Sequence, residues 1–527
     1  MQRRLKHWGW GYEDEQPAPG ELRATAAFLA QRLGFGSSQP ATAVPIEDVR
    51  LSPVRLRAPA SLAGLCTEDP HERARHAYGR SYCDVVRAFQ GRFEHAPDVV
   101  ARPRDEADVG ALLAWALQAG AAIIPFGGGT SVVGGVEPRV DPERYAGVVT
   151  IDLTALDRVL EVDPVSLSAR IQAGARGPVL EDQLHEHGLT LRHYPQSFQF
   201  STLGGWIATR AGGHFSTLDT HIDDLVESVR ATTPAGPWES RRLPGSGARV
   251  SPDRMLLGSE GTLGIITEAW VRVRPRPRHR SSAGVRFPQF SAGAEAVRAL
   301  AQSGLNPAAC RLVDPSEAAL TGAGDGSYAL LVLGFESASI PTAPWLTAAL
   351  EICAEHGGSA EPRTPSGEDS TTGWRDAFLR APYLRDTFVA MGVLSETFKT
   401  AITWERLPAF HRAVLQATSD AVRDVCGAGS VTCRLTHVYP DGAAPYYTVL
   451  APARRGEELA QWAAIKVAAS EAILAHGGTI THHHSIGRDH RDWYDRQRPE
   501  PFALALRGAK AALDPSGALN PGVLLDP

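Results

Sequence analysis

Three consecutive histidines, His482, His483 and His484, have a clear capacity for chemistry in this chain. Imidazole gains or loses a proton near neutral pH, so such a run can transfer protons or hold an anionic substrate. A His-rich run can also bind a metal ion. Adjacent residues of a strand point to opposite faces, however, so three in a row rarely converge on one ion. We therefore expect no metal, and a solvated His-rich turn remains an alternative.

A second stretch, residues 125–131, has the composition of a phosphate-binding turn. Three glycines there let the backbone bend sharply and approach a ligand closely. Successive free N–H groups in such a turn form a concave site for an anion, and Thr130 and Ser131 add hydroxyl groups. No lysine follows, and no G-x-G-x-x-G pattern opens a helix, so neither a P-loop nor a Rossmann domain is indicated. Taken alone, the stretch is also consistent with an ordinary turn.

Two further loops rich in glycine and hydroxyl side chains occur at residues 193–213 and 258–268. Three such loops within one region suit a backbone that wraps around a long cofactor. Strand and helix patterns alternate around them from Pro97 onward. Apolar spacing predicts a strand at 99–101 and a helix over 105–119, then strands at 148–153 and 159–162. A further helix is predicted to begin near Pro178.

Composition limits the class of protein. The 527 residues suffice for two or three domains, and 43% hydrophobic content supports packed cores. The 53 basic and 59 acidic residues give a net charge of −6, which argues against a nucleic-acid partner. Six scattered cysteines without a C-x-x-C pair disfavour structural zinc and a disulfide framework. We find no signal peptide and no apolar run long enough to span a membrane. A cytoplasmic location is expected, with peripheral membrane contact left open.

The three loops resemble the PCMH-type FAD-binding domain of the vanillyl-alcohol oxidase superfamily. Within that superfamily the chain most resembles the alkyldihydroxyacetonephosphate synthase (alkylglycerone-phosphate synthase) family. Five motifs carry the closer match: Trp8-Gly9-Trp10-Gly11-Tyr12, Phe200-Ser201-Thr202-Leu203-Gly204-Gly205-Trp206, Cys310-Arg311-Leu312-Val313-Asp314, Thr432-Cys433-Arg434-Leu435-Thr436 and His482-His483-His484. The first and last of these are narrower signals than the FAD loops.

The resemblance implies an α+β fold in which two small α+β subdomains clasp FAD beneath a cap with an antiparallel sheet. The expected division is an N-terminal docking and helical segment at 1–95 and the FAD-binding domain at 96–277. A cap domain would follow at 278–470, and a C-terminal segment at 471–527 would carry the His triplet back to the FAD-binding domain. Non-covalent FAD is expected, because no histidine occupies the glycine loop.

The resemblance also implies which residues contact FAD, from the pyrophosphate to the flavin ring. They are Pro125, Phe126, Gly127, Gly128, Gly129, Thr130, Ser131, Gln196, Ser197, Phe198, Gln199, Phe200, Ser201, Thr202, Thr209, Arg210, Ala211, Gly212, Glu260, Gly261, Thr262, Leu263, Gly264, Ile265 and Ile266.

Seven residues form the active site implied by the same resemblance: Tyr446, His482, His483, His484, Arg385, Arg311 and His193. Tyr446 would accept the substrate proton, with Tyr447 taking its place if the strand register slips by one. Arg385 would contact the substrate. The residues alone leave other interpretations open, since Tyr446 fits a strand core and each arginine fits an exposed pair with a nearby aspartate.

The implied reaction belongs to ether lipid biosynthesis. It exchanges the acyl group of acyl-dihydroxyacetone phosphate for a fatty alcohol through a flavin N5 adduct, with no net redox. One alternative is an FAD-dependent 2-hydroxy acid dehydrogenase or oxidase, in which His483 or His484 takes the proton. A second is a non-catalytic flavin- or lipid-binding protein. Gln196 and Gln199 stand at positions that are acidic in the family, so both a lipid and an organic-acid substrate stay open. A homodimer is also left open.

Overall fold

A computed structural model describes residues 3–215, 217–247, 250–361 and 383–526, and four sheets organise these ranges. The first sheet has a parallel core, in the order Val99–Ala101, Val148–Asp152, Ala122–Phe126. Cys66–Thr67 pairs antiparallel at its edge. Its strands are almost fully buried, as expected when a parallel sheet is covered on both faces. Helix Glu106–Gln118 packs on it, and Asp105 caps that helix by accepting a hydrogen bond from the Asp108 amide.

The second sheet is antiparallel and follows the first in the chain. Its strands, in spatial order, are Val159–Asp163, Ser168–Gln172, Ile265–Arg272, Val226–Thr233 and Gly236–Glu239. Helices Gly177–His185 and Leu203–Thr209 cover one face, and the indole of Trp206 fills the core between them. The short strands Leu189–Thr190 and Arg274–Pro275 pair beside it, and helix Pro252–Leu256 precedes the glycine-rich turn at 258–264.

An eight-stranded antiparallel sheet forms the cap. Seven strands lie in the order Ser359–Ala360, His279–Phe287, Ala329–Ser337, Ala309–Val313, Ser430–Val438, Gly442–Pro452 and Val393–Lys399, and Ile402–Thr403 pairs with Gly442–Pro452. Four helices contribute to a large apolar core on one face: Phe290–Gln302, Ala343–Glu355, Leu407–Cys426 and Glu458–Ala475. Residues on the strands from 393 to 452 line, on the other face, a cavity shared with the FAD-binding part.

Both ends of the chain return to the FAD-binding part. The N-terminal segment forms a Leu5–Tyr12 bridge and continues into helix Pro19–Leu33. A buried ion pair joins Lys6 Nζ to Asp386 Oδ2 at 2.6 Å. After helices Arg491–Gln497 and Glu500–Leu513, the Asn520 side chain donates to the carbonyls of Gly135 and Glu260. These contacts place the C-terminal segment beside the glycine loop and join the N-terminal segment to Asp386 of the cap, while the Trp10 ring lies 6.0 Å from that of Phe200 in the FAD-binding part.

The α+β architecture with two small subdomains and an antiparallel cap is confirmed. The predicted helix over 105–119 and strand at 99–101 are present. Helical sequence between 73 and 93 divides into Pro70–Arg75 and Tyr82–Phe89, because Ser81 and Asp84 form a capping box that starts a new helix. Residues 362–382 of the predicted cap lie outside the described residues. Within the described ranges, no helix is both long and apolar enough to cross a membrane.

Candidate active site

One cavity of about 610 Å³ lies between the glycine loop, the turn at 195–202, the cap strands and the His triplet. Several of the predicted cofactor contacts line it together: Gly127, Gly128, Gly129, Thr130, Ser131, Gln196, Ser197, Ser201, Thr202, Thr209, Ala211 and Gly212. They present backbone amides, hydroxyls and one amide side chain along one wall. Such a wall suits a long cofactor that carries both phosphates and a ring system, so these residues fit FAD.

The glycines of the loop are required by close packing as well as by the ligand. A Cβ atom on Gly128 would clash with the carbonyl group of Phe200, and one on Gly127 would clash with the Thr202 hydroxyl. The glycine loop and the 197–202 turn therefore touch backbone to backbone. Thr202 in turn caps helix Leu203–Thr209 by accepting from the Gly205 amide. This contact sets the width of the cavity on its cofactor side.

The remaining predicted cofactor contacts are not among the described residues that line this cavity. Phe126 and Phe200 are buried beneath the loop, and Leu263 and Ile265 belong to the cores of the two small subdomains. Arg210 pairs with Asp223. The last of this group, Pro125, Phe198, Gln199, Gly261, Thr262, Gly264 and Ile266, are likewise not among the described residues that line the cavity. Their contact with FAD stays a prediction.

Glu260 holds the segment that follows the His triplet. Its carboxylate accepts hydrogen bonds from the amides of Ile486 and Gly487 at 2.9 and 2.8 Å. Burial raises the pKa of Glu260 to about 7. Because the backbone of Glu260 has a positive φ of 51°, its side chain is directed by a strained turn. Glu260 thus positions the histidines from outside the cavity.

Tyr446 lies on the strand Gly442–Pro452 and faces the cavity. In the sheet it is flanked by Lys399 on one side and Arg434 on the other. The Arg434 guanidinium is 3.9 Å from the Tyr446 ring centroid. Tyr447 points the opposite way, into the cap core, where its hydroxyl lies 3.1 Å from His411 Nδ1. The two-residue period of a strand therefore selects Tyr446 for the cavity.

The His triplet forms a chain of rings that ends at this tyrosine. The His484 ring is perpendicular to the Tyr446 ring, with centroids 5.7 Å apart, and the next pair, His483 and His484, is 4.8 Å apart. His482 lies deeper, with Nε2 2.7 Å from the Tyr439 hydroxyl and 3.2 Å from His221 Nε2. His483 and His484 line the cavity, so these two imidazoles can exchange protons with a bound substrate.

Lys399 and His437 are site residues that the sequence did not single out. The Lys399 ammonium donates to the Thr436 hydroxyl at 2.8 Å and contacts His437 Nδ1, and His437 Nε2 donates to the Gly213 carbonyl at 2.6 Å. The chain contains only four lysines, and all four are buried. Only four of the 53 basic residues are lysines, and this scarcity could have pointed to Lys399, because a lysine inside an apolar strand must have polar partners.

Arg385 lines the cavity, and its Nη1 donates to the Arg80 carbonyl at 2.7 Å. The neighbouring Asp386 carboxylate pairs with Lys6, so the structure does not show the exposed pair between residues 385 and 386. Arg311 is fully buried outside the cavity wall, and its Nη2 donates to the carbonyl of His214. Burial lowers the pKa of Arg311 to about 9. Asp314, its alternative partner, caps helix Pro315–Thr321 instead.

His193 is buried behind the cofactor wall. Its ring lies 5.0 Å from that of Trp206, and neither ring nitrogen has a hydrogen-bond partner among the described residues. Burial lowers the pKa of His193 to about 3, so the ring is neutral at pH 7. The structure therefore places Arg311 and His193 beside the site but not on its cavity surface, and their part in catalysis stays a prediction.

Acidification is expected to destabilise the folded protein between pH 6.5 and 4.5. Burial is the main reason that the histidine pKa values fall, to about 3 for His193 and His484 and about 4 for His411. Below about pH 6.5 the histidines of the unfolded chain bind protons, whereas these buried rings stay neutral. Each ring therefore lowers the free energy of unfolding by about 1.4 kcal/mol per pH unit. Tm measured from pH 7.5 to 4.5 should fall.

Buried carboxyl groups act in the opposite direction. Burial raises the pKa of Glu260 and Asp489 to about 7, so both bind a proton in the folded state as the pH falls. The histidines outnumber them, since the pKa values of His437, His482 and His483 are also well below 6.5. A Tm that rises steadily from pH 7.5 to 4.5 would show that the carboxyl groups dominate.

Comparison with known proteins places this geometry in a family. A model described as FAD binding domain matches residues 97–240, and one described as FAD linked oxidases, C-terminal domain, matches residues 276–524. The alkyldihydroxyacetonephosphate synthase of Caenorhabditis elegans is 31% identical over 582 residues, covering 99% of this chain and 95% of that protein. The synthase of Dictyostelium discoideum is 30% identical over 488 residues, covering 87% of this chain and 78% of that protein.

A solved structure of an alkyldihydroxyacetonephosphate synthase superposes with a TM-score of 0.81 at 26% identity and covers 98% of both chains. The two family models cover the glycine loop and the cap, and the alignment with the Caenorhabditis elegans relative covers nearly the whole chain. The chain therefore uses FAD, and it belongs to the alkyldihydroxyacetonephosphate synthase family of FAD-linked enzymes.

Proposed function

We propose that this enzyme replaces the acyl group of an acyl-dihydroxyacetone phosphate with the alkoxy group of a fatty alcohol. The observation that carries the proposal is the shared cavity. Tyr446, Arg385 and two histidines line it together with the glycine loop and the turn at 195–202. The relatives named as alkyldihydroxyacetonephosphate synthases support the substrate class. We also infer a cytoplasmic enzyme that meets its lipid substrates at a membrane surface.

Tyr446 is suited to accept the proton that leaves C1 of the substrate. Its phenol faces the cavity beside the Arg434 guanidinium, which is held in turn by a buried ion pair with Glu317. A fixed cation next to a phenol stabilises the negative charge that develops when the phenol gives up its proton. His484 lies edge-on to Tyr446 at the cavity surface, and because burial lowers the pKa of His484 to about 3, its neutral imidazole can hydrogen-bond the substrate. When bound, FAD supplies an electron-accepting ring that holds and returns the electron pair, so no external oxidant is needed.

Arg385 is suited to hold the phosphate of the substrate. Its guanidinium lines the cavity, and the bond from Nη1 to the Arg80 carbonyl fixes the plane of the group. A guanidinium fixed in this way can present its remaining N–H groups to a phosphate in pairs. The binding of a charged headgroup at this position would set C1 of the substrate near Tyr446.

The far end of the cavity suits a fatty chain. Its lining there is apolar and comes from four parts of the chain: Phe28, Leu29, Leu320, Phe388 and Leu450. Helix Pro19–Leu33 contributes the first two, so the N-terminal segment completes the site. Burial of apolar surface contributes about 0.8 kcal/mol for each CH₂ group, which is enough to select a long alcohol over a short one.

The proposal is tested with purified protein, acyl-dihydroxyacetone phosphate and a radiolabelled fatty alcohol under anaerobic conditions. We expect label in the alkyl product, one equivalent of free fatty acid, and a visible spectrum that stays that of oxidised flavin. Bleaching of the flavin by D-2-hydroxy acids without exchange would instead establish a dehydrogenase. A bound flavin that neither exchanges nor bleaches would favour a binding protein.

A further inference from the structure

A second cluster of metal-ligand side chains lies outside the active-site cavity, where the N-terminal segment meets helix Pro70–Arg75. His7, Glu13 and His71 each offer one ligand atom, and these atoms all lie within 4.8 Å of one another. His71 Nε2 is 3.0 Å from Glu13 Oε1. We propose that these three side chains bind a divalent transition-metal ion, best matched by zinc, which fastens the first residues of the chain, around 5–13, to helix Pro70–Arg75.

The spacing suits a tetrahedral ion after a small movement. Two ligand atoms at about 2.1 Å from a tetrahedral zinc are roughly 3.4 Å apart. The His71–Glu13 pair is already near that separation, and the third ligand needs to approach by less than the length of one bond. Glu13 is on an exposed turn, so its side chain can adjust without disturbing a core. Two imidazoles and one carboxylate leave a fourth position for water.

The outer contacts of both histidines match those of metal ligands. A ligating histidine commonly donates its other ring N–H to a backbone carbonyl or a carboxylate. His7 Nε2 is 3.1 Å from the Val44 carbonyl, which leaves Nδ1 unprotonated and able to bind a cation. His71 Nδ1 is buried without a hydrogen bond and lies 3.8 Å from a Glu72 carboxylate oxygen. A metal ion on His71 Nε2 would leave the ring proton on Nδ1, and that N–H could then donate a hydrogen bond to Glu72.

The local charges are compatible with a bound cation. Glu13 has no side-chain partner other than His71 among the described residues, since Arg3 pairs with Asp14 and Glu15. Glu72 is shared with Arg75 and Arg102, so it serves as an outer partner and not as a ligand.

The other histidine cluster of this kind is less suited to a metal. His437, His482 and His483 also bring ligand atoms together. Both ring nitrogens of His437 are engaged, however, one with the Gly213 carbonyl and the other with the Lys399 ammonium. A metal ion bound by His437 would therefore have to displace one of these two contacts. The N-terminal cluster has no such obstacle.

Metal binding there would stiffen one wall of the active site. Trp10, which lies between His7 and Glu13 in sequence, lines the cavity, and its backbone amide donates to Asp386 at 2.8 Å. Lys6 pairs with the same carboxylate, next to Arg385. An ion bound by His7 and Glu13 on one side and His71 on the other would cross-link this segment to the body of the protein.

Glu13→Gln is the decisive variant, with Glu15→Gln as its matched control in the same acidic turn. Full-length, FAD-loaded protein is freed of metal with a chelator and titrated with Co²⁺ alone, followed by its d–d absorption, and then with Zn²⁺ by calorimetry. We expect one tight equivalent in the native protein and at least tenfold weaker binding in Glu13→Gln. Glu15→Gln should retain native affinity, and Zn²⁺ should raise the Tm of the native and Glu15→Gln proteins but not of Glu13→Gln.

Glutamine at position 13 can still accept the His71 hydrogen bond, so the metal-free variants should share one Tm and one circular dichroism spectrum. A His482→Gln variant separates the two clusters, and we expect it to keep the tight equivalent. The proposal is overturned if Glu13→Gln and Glu15→Gln bind the metal ion equally, or if metal binding is lost in His482→Gln alone. It is also overturned if the native protein binds no metal ion more tightly than free histidine does. None of these measurements depends on the reaction catalysed.

Discussion

Replacing Tyr446 with phenylalanine is expected to lower the rate of acyl-for-alkyl exchange roughly 100- to 10,000-fold, the range typical of a lost general base. The ring remains to fill its place beside Arg434, so the cavity keeps its shape while the proton acceptor is removed. FAD should stay bound with an unchanged visible spectrum. Exchange of the C1 proton with solvent should fall in parallel with product formation.

Tyr447→Phe is the matched control, since it removes the same hydroxyl from the next residue of the same strand. Tyr447 faces the cap core, where its hydroxyl loses its contact with His411 and a side-chain hydrogen bond with Cys433, at a cost of about 1 kcal/mol of stability. Its turnover should remain within about twofold of the native value. If the two variants retain equal activity, Tyr446 is not the proton acceptor, and a histidine of the triplet becomes the candidate.

Replacing Gly128 with alanine is expected to abolish tight FAD binding. The added Cβ would overlap the carbonyl group of Phe200 and approach the Ser201 Cα, and both are backbone atoms that cannot rotate away. The glycine loop and the 197–202 turn must then separate, which widens the cofactor wall. We expect at least tenfold weaker FAD affinity, about 1.4 kcal/mol, and largely colourless protein after gel filtration.

Gly110→Ala is the control for Gly128→Ala. Gly110 lies inside helix Glu106–Gln118, and a Cβ there meets nothing within 4 Å. Alanine is the better helix former, so this variant should gain about 0.5–1 kcal/mol of stability and keep its yellow colour. Flavin absorbance per protein, with Tm, separates the two cases. Normal flavin content in Gly128→Ala would mean that the loop does not need its contact with Phe200.

Much of the site could be predicted from residue types along the chain. The three glycines at 127–129 indicated close backbone approach; Gly127 and Gly128 touch Phe200–Thr202, and all three glycines line the cavity. The two-residue period of strands and the 3.6-residue period of helices likewise predicted Val99–Ala101 and Glu106–Gln118. Family resemblance indicated Tyr446 and the His triplet, which the structure brings together from separate strands and loops.

Other features depended on contacts that local sequence does not encode. Lys399 and Arg434 flank Tyr446 only because strands Val393–Lys399 and Ser430–Val438 both pair with Gly442–Pro452 in one register. The contact of Glu260 with FAD stays a prediction, and its carboxylate accepts hydrogen bonds from backbone amides 226 and 227 residues further along the chain. No pattern near Glu260 marks that partner.

The sequence by itself determined the elements and the family, because apolar periodicity and glycine-rich turns are properties of short stretches. It also determined the chemistry available: a phenol, imidazoles and guanidinium groups. The tertiary structure alone decided which of them share a cavity, placing Arg385 and His484 on its surface and Arg311 and His193 behind it. The physical reason is that burial and pairing between distant segments depend on long-range packing, which also brings His7, Glu13 and His71 together.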